Sequence, residues 1–77
     1  MDRQVRLLYA EDNASDADLT RHHFATHATD IQLDVVNHGE ACVTRLQHEH
    51  YDVLLLDYRL PDMDAIDVLK ALAVHNV

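Results

Sequence analysis

Three acidic side chains of this sequence stand where they could act together. Glu11 and Asp12 follow directly after the apolar run VRLLYA (5–10), and Asp57 follows directly after VLLL (53–56). Carboxylate oxygens are ligands that Mg²⁺ prefers, and a carboxylate can also act as a nucleophile. A lone Asp after an apolar run is more often a turn or cap residue, so the chemistry depends on whether the three groups meet.

Three apolar segments are predicted to be strands. VRLLYA and VLLL are short aliphatic runs of the kind found in parallel strands that are buried on both faces. IQLDVV (31–36) instead alternates apolar and polar residues, as a half-buried edge strand does.

A helix is predicted after each of these strands. Asn13, with an acid three residues later, predicts a helix start and a helix that runs to about Thr26. A second helix is predicted after Asn37-His38-Gly39, and a third from Asp64. The residues expected to face the core are Leu19, Thr20, His23 and Phe24 in the first helix and Cys42, Val43 and Leu46 in the second. In the third, Ile66, Leu69 and Ala73 repeat at helical spacing.

The order of the predicted elements, βαβαβα, indicates an α/β fold with a parallel sheet and right-handed crossovers. In such a sheet the carboxyl ends of all strands lie at the same edge. Glu11, Asp12 and Asp57 converge there if the first and third strands are neighbours, as they are in the doubly wound order 2-1-3. Three carboxylates in one crevice repel one another unless a cation neutralises them, so the sequence predicts an Mg²⁺ site.

The composition limits the partners and the setting. The 77 residues include six Lys and Arg against 14 Asp and Glu, a formal net charge of −8. This charge disfavours nucleic acid or an anionic membrane as a direct partner of the segment. Cys42, the single cysteine, excludes an internal disulfide, and neither a spanning stretch nor a signal peptide is recognised. A cytoplasmic setting is therefore predicted.

The chain resembles the receiver domain of two-component response regulators, a flavodoxin-like signalling module. The resemblance runs from residue 5 to the end of the chain. The motifs that carry it are YAEDN (9–13), NHGEACVTRL (37–46) and DVLLLDYRLPDMDAIDVL (52–69). An acidic pair combined with a strand-terminal Asp and a following Pro-Asp-Met-Asp is rarely found by chance.

The resemblance implies a role for each acidic residue. Asp57 matches the phosphoacceptor, which takes a phosphoryl group from a histidine of a sensor kinase or phosphotransfer protein. Asp12 and Asp57 match the carboxylate ligands of Mg²⁺, Glu11 acts through a water, and the main-chain carbonyl of Arg59 supplies a further oxygen. The implied function is that of a signalling module and not of an enzyme in its own right.

The resemblance covers less than a whole receiver. A receiver has five βα units and three are recognised here, so residues 1–77 are predicted to be the N-terminal part of a single receiver domain. The Thr or Ser and the Lys that respond to the phosphoryl group come from later strands, so function is expected to be impaired in the 77-residue chain. In the order 2-1-3 the third strand is an edge, which a homodimer or the missing C-terminal half is expected to cover.

Two other functions stay open. An assembly or interaction half-domain would keep the fold without phosphotransfer. A phosphatase or mutase with an aspartate nucleophile also uses Mg²⁺ and an Asp at a strand end, but it needs a second Asp two residues later, where this chain has Arg59.

Several single residues carry weaker predictions. Ala65 stands where the family usually has glycine, so the loop is expected to be less tightly turned or to hold Ala65 in a costlier backbone conformation. His23 and His27 have the i, i+4 spacing that can hold a transition metal, but without a third ligand the solvated-surface interpretation is favoured. Cys42 is most simply a core residue.

Overall fold

Three strands and three helices alternate along the chain, as the sequence predicts. The computed structural model describes residues 4–76, so both ends of the predicted 1–77 domain lie outside the described residues. The elements are β1 (Val5–Ala10), α1 (Ala14–His27), β2 (Ile31–Val36), α2 (Gly39–His48), β3 (Val53–Leu56) and α3 (Ala65–Val74). The predicted bounds of all three strands agree with the structure.

The strands form one parallel sheet in the order β2-β1-β3. Ala10 at the end of β1 lies opposite Val36 in β2 and opposite Leu56 in β3. The chain crosses from β1 to β2 in one direction and returns to β3 in the other, so right-handed crossovers place α1 and α2 on opposite faces of the sheet. The predicted flavodoxin-like α/β fold with the order 2-1-3 is confirmed.

Side chains cap the first and third helices where the sequence predicts helix starts. The Asp16 amide donates to Asn13 Oδ1 at 2.9 Å. At α3 the Asp67 amide donates to Asp64 Oδ1 at 2.9 Å, and the Asp64 amide donates to Asp67 Oδ2 at 3.3 Å. Each cap satisfies amides that have no partner within the helix, which fixes where the helix begins.

The core lies between the sheet and the helices α2 and α3. Leu8 and Ala10 of β1, Cys42 of α2 and Val68 of α3 are completely buried. The cluster also contains Val36, Val43, Leu60 and Leu72, with Leu46, Leu54 and Leu56 at its margin. Cys42 and Val43 therefore face the core as predicted.

The apolar residues whose spacing predicts α3 are not the residues that this helix buries. Val68 and Leu72 are the buried residues of this helix, whereas Ile66 and Leu69 are 47% and 51% exposed, and Ala73 is exposed as well. Apolar residues lie on more than one face of α3, so helical spacing alone did not identify the face that contacts α2 and the sheet.

The inward stripe predicted for α1 is only half right. Thr20 and Phe24 are partly buried, but Leu19 is 70% exposed and His23 is exposed. The one fully buried residue of the helix is Ala17. Residues 17, 20 and 24 have the spacing i, i+3, i+7 of a single helix face, and the small side chain of Ala17 lets α1 pack closely against β2.

The two faces of β3 differ in burial. Leu54 and Leu56 pack at the margin of the core, whereas Val53 and Leu55, on the opposite face, are 46% and 44% exposed. Side chains alternate across a strand, and α1 packs against β2, so this part of the sheet face stays uncovered in the described chain. β3 is an edge strand, as the order 2-1-3 requires.

A polar network lies at the amino ends of the strands. Arg6 Nη2 is 2.9 Å from Glu49 Oε1 and 3.3 Å from Asp34 Oδ2, and the guanidinium carbon is 4.5 Å from the centre of the Tyr51 ring. The Tyr51 hydroxyl donates to Asp34 Oδ2 and accepts from Arg45 Nη1 at 3.2 Å. The network joins β1, β2 and the end of α2 at the edge of the sheet opposite the carboxyl ends of the strands.

Candidate functional site

The three predicted acidic residues meet at the carboxyl ends of β1 and β3. Each of Glu11, Asp12 and Asp57 can offer one carboxylate oxygen, and these three oxygens lie within 4.8 Å of one another. Among residues 4–76 they form the one group of three or more potential metal ligands. The predicted convergence is therefore present in the structure.

Backbone hydrogen bonds extend the sheet to the site. The Glu11 amide donates to the Val36 carbonyl at 2.9 Å, and the Asp57 amide donates to the Ala10 carbonyl at 3.1 Å. Both bonds continue the parallel ladders by one residue beyond the strands. The sheet thus holds the backbone of Glu11 and Asp57 in place before any ligand binds.

Glu11 is a buried carboxylate held by two donors. It is 8% exposed, with the Tyr9 hydroxyl donating to Oε1 at 2.9 Å and the Asn13 amide donating to Oε2 at 3.2 Å. Burial alone would raise the pKa of Glu11, but the bonds from Asn13 and Tyr9 outweigh it, and the pKa lies below its ordinary value. Glu11 therefore stays ionised in a fixed orientation.

The environment of Asp57 has the opposite effect. Burial, followed by the hydrogen bond and the charge of Glu11, raises the pKa of Asp57 above its ordinary value. A cation among these groups would favour the ionised form of Asp57 and so offset both effects. The oxygen-only donor set and the spacing of the carboxylates fit Mg²⁺, which takes a few carboxylates and keeps several waters.

Arg59 lies on the loop that follows Asp57, and the three-carboxylate group does not include it. The loop forms a narrow hairpin in which the Ala65 amide donates to the Tyr58 carbonyl at 2.8 Å and the Leu60 amide donates to the Met63 carbonyl at 3.1 Å. Arg59 pairs with Asp64 between these two bonds. Neither bond uses the Arg59 carbonyl, which in this type of pair points away from the opposite residue.

Ala65 fits its position without backbone strain. It is the first residue of α3, and the one non-glycine residue with a positive φ between residues 4 and 76 is Asn76. Of the two expectations for this alanine, the costly left-handed conformation is wrong. The hairpin closes without it, because the capping box at Asp64 turns the chain directly into the helix.

Asp62 is a site-adjacent residue that the sequence reasoning did not single out. It accepts hydrogen bonds from the Gly39 amide at Oδ1 (2.7 Å) and from the Glu40 amide at Oδ2 (2.9 Å). The residue that precedes α2, His38, makes no side-chain cap of its own. Asp62 thus caps a helix 22 residues before it in the chain, a contact that no local spacing could have indicated.

The other candidate residues show no second site. The His23 and His27 rings lie 4.6 Å apart, and both side chains are exposed without a third ligand among residues 4–76. Burial raises the pKa of the Cys42 thiol to about 11, which suits the core role predicted for it. Within the described part of the chain, no helix combines the length and the apolar character needed to cross a membrane.

Known proteins resemble this chain in sequence and in fold. The response regulator receiver domain family matches residues 7–77. The regulatory protein LuxO of Vibrio vulnificus is 42% identical over 66 residues, which are 86% of this chain and 14% of that protein. The chain thus spans a small part of this relative, and the activity of the whole relative does not transfer to it.

Two solved structures agree with this family. The Francisella response regulator 1452 receiver domain has a TM-score of 0.83 and 26% identity, covering 95% of this chain and 59% of that chain. Full-length ShkA, in complex with AMPPNP, has a TM-score of 0.86 and 31% identity, covering 96% of this chain and 16% of that chain. The resemblance carried by the three motifs is confirmed: the chain belongs to the response regulator receiver domain family of two-component signalling systems, of which it covers the N-terminal part.

Proposed function

We propose that this chain is a phosphoacceptor that receives a phosphoryl group on Asp57 in an Mg²⁺-dependent reaction. The donor is a phosphohistidine of a sensor histidine kinase or of a phosphotransfer protein. The observation that carries the proposal is the convergence of Asp57 with Glu11 and Asp12 at the carboxyl ends of neighbouring strands. The crevice at that edge, where the strand order reverses, is where open α/β sheets bind ligands.

The chemistry follows from the position of Asp57. Its carboxylate oxygen attacks phosphorus, the bond from phosphorus to the donor imidazole nitrogen breaks, and the electron pair stays on that nitrogen, giving an aspartyl phosphate and a neutral histidine after protonation. Both reactants are anionic. Mg²⁺, when bound, supplies the positive charge that offsets this repulsion and the charge of the transition state.

The proposed ligands divide into direct and indirect ones. Asp12 and Asp57 would bind Mg²⁺ directly, and the main-chain carbonyl of Arg59 would supply a third oxygen. Glu11, whose two oxygens already accept bonds from Tyr9 and Asn13, would act through a water. We expect an affinity on the order of 1 mM, because water keeps several coordination positions.

The proposed role is that of a signalling module and not that of an enzyme in its own right. A polypeptide of these 77 residues alone is expected to be impaired, since the Thr or Ser and the Lys that sense the phosphoryl group come from later strands in this family. A cytoplasmic location stays a prediction from the sequence. The absence of nucleic acid and membrane partners, expected from the net charge of −8, is likewise a prediction.

The experiment is phosphorylation by a small-molecule donor such as acetyl phosphate in the presence of Mg²⁺, followed by intact-mass spectrometry. We expect one phosphoryl group on the wild type, none on Asp57→Asn, and none when a chelator removes the metal. Asp30→Asn, which alters an exposed acid at the other end of the sheet, is the matched control and should be labelled normally. Equal labelling of Asp57→Asn and the wild type would refute the proposal.

An assembly half-domain without phosphotransfer is the second candidate. The uncovered side chains of Val53 and Leu55 on β3 favour it, because an exposed apolar edge strand is a template for pairing with another chain. A chain that binds Mg²⁺ and accepts no phosphoryl group, but associates through β3, would support this alternative.

A further inference from the structure

The contact between Asp62 and the amino end of α2 consists of two hydrogen bonds. Both carboxylate oxygens are used, one for each of the first two amides of the helix. An ionised acceptor at the positive end of a helix forms charge-assisted bonds. Burial would raise the pKa of Asp62, but the bonds from Gly39 and Glu40 outweigh it and hold the pKa below its ordinary value. Asp62 is therefore ionised when it makes this contact.

Gly39 gives a second contact between the same two segments. A Cβ atom at this position would lie 2.3 Å from Met63 Cγ, 2.7 Å from Met63 Sδ and 3.1 Å from Val68 Cγ2. A Cβ atom could therefore be placed here only if the Met63 side chain moved. Met63, the residue after Asp62, thus packs against the backbone of α2 at Gly39. The lack of a side chain at Gly39 permits this close contact.

The loop between β3 and α3 is internally connected. The hairpin bonds from Ala65 to Tyr58 and from Leu60 to Met63 link its two arms, and Arg59 pairs with Asp64 between them. These bonds couple the positions of the two arms. A constraint applied at Asp62 and Met63 therefore also acts on Arg59, which lies on the opposite arm.

We propose that Asp62 is a positioning residue for the metal site. By holding the hairpin against the amino end of α2, it sets where the Arg59 carbonyl lies relative to the carboxylates of Asp12 and Asp57. This inference rests on the proposed function, since it concerns the same site. Metal affinity then depends on a side chain that belongs to neither the carboxylate group nor the direct ligands, and Gly39 supports the same contact from the side of α2.

The test is an Mg²⁺ titration followed by amide chemical shifts, at a temperature where thermal melting shows each variant to be folded. Asp62→Ala is expected to weaken Mg²⁺ binding about tenfold, as loss of a residue that orients a metal ligand commonly does. Asp62→Asn, which keeps one acceptor oxygen, should weaken binding less. Gly39→Ala keeps every charge and should weaken binding as well, because its Cβ would displace Met63.

Two control variants separate positioning from charge and from stability. Glu40→Gln removes a negative charge at the same end of α2 without touching the bonds to Asp62, and its affinity should match the wild type. Tyr51→Phe removes a hydrogen bond at the opposite end of the sheet, so it should lower the melting temperature and leave the affinity unchanged. A loss in Glu40→Gln as large as that in Asp62→Ala would overturn the inference.

The outcomes also distinguish the inference from the proposed function. If the wild type shows no Mg²⁺ binding that Asp57→Asn removes, both fail. If the wild type binds Mg²⁺ through Asp57 and both Asp62→Ala and Gly39→Ala bind it as tightly, the positioning role fails alone. If Asp62→Ala does not fold, Asp62→Asn and Gly39→Ala decide the question by the same comparison.

Discussion

At the scale of single residues, two neighbouring carboxyl groups of the site, Glu11 and Asp57, have opposite pKa shifts. Donors from Tyr9 and Asn13 lower the pKa of Glu11 despite its burial. Burial and the charge of Glu11 raise the pKa of Asp57. Without a metal, Asp57 is thus the less stable anion of the pair. Its ionisation costs folding free energy that a bound cation would restore.

Asp57→Asn is therefore expected to stabilise the metal-free chain at neutral pH. A raised pKa means that the folded state binds the Asp57 proton more readily than the unfolded state, so stability is lost as the pH rises through the folded pKa. The variant removes this loss. We expect a gain of about 1 kcal/mol, since the site is open to water and the repulsion is screened. Urea melts in a chelator between pH 3 and pH 7 would measure it.

The pH dependence provides the check on this prediction. The advantage of Asp57→Asn should be full at neutral pH and fade as the pH falls toward 3.8, the ordinary pKa of the group. Asp30→Asn, at an exposed position, should show no comparable gain. A variant that is less stable than the wild type at pH 7 without metal would contradict the assignment of Asp57 to a repulsive cluster.

The sequence identified the carboxylates but not the residues that hold them. Glu11, Asp12 and Asp57 could be found because each follows an apolar run, and the strand order brings those positions together. Tyr9 could have been found, since residues two apart in a strand share a face and its hydroxyl reaches Glu11. Asp62 could not, because its partners lie in another helix and the contact depends on how α2 and the hairpin pack.

At the scale of elements, the positions where helices begin were predicted better than the helix faces that are buried. The starts of α1 and α3 follow from Asn13 and Asp64, whose caps involve residues three positions away. The buried faces of these helices depend on the tertiary structure. In α1 the buried residue is the small Ala17, and in α3 two apolar stripes compete, of which the one containing Val68 is buried. Periodicity alone does not decide such cases.

α3 also provides a test of the impaired response. We expect beryllofluoride, a phosphoryl mimic, to bind at Asp57 in the presence of Mg²⁺ without widespread change in α3 of the 77-residue chain. A polypeptide made of these 77 residues alone would carry no hydroxyl or ammonium group from a later strand, and a ligand shifts an equilibrium only by its differential affinity for the two states. Changes in amide chemical shift, which would measure the response, should be confined to the carboxylate group and the hairpin.

The variant Asp57→Asn is the control for this experiment, because it should show none of these shifts. Shifts throughout α3 from Ala65 to Val74 in the wild type would show that the 77-residue chain responds without the missing groups. That result would contradict the prediction that the response to phosphorylation is impaired.

At the scale of the whole molecule, apolar surface stays exposed on both sides of the sheet. Val53 and Leu55 are uncovered on the α1 side, and Ile66 and Leu69 are uncovered on α3. β3 adds a free strand edge, which can pair with another strand. The free energy of unfolding is only about 5–15 kcal/mol for ordinary domains. In a chain with so small a core, leaving these side chains in water lowers it further.

We therefore predict that the 77-residue polypeptide associates through β3 and the sheet face beside it. Burying one such side chain contributes about 1.5–3 kcal/mol, and a symmetric dimer covers the same patch on both copies. Leu55→Lys should dissociate or unfold the dimer, whereas Leu19→Lys, at an exposed position on α1, should leave it intact. Light scattering with parallel thermal melting decides the question: a wild-type monomer that melts cooperatively would refute the association. In a longer receiver, a fourth strand beside β3 would supply the same cover, and adding it should abolish the dimer.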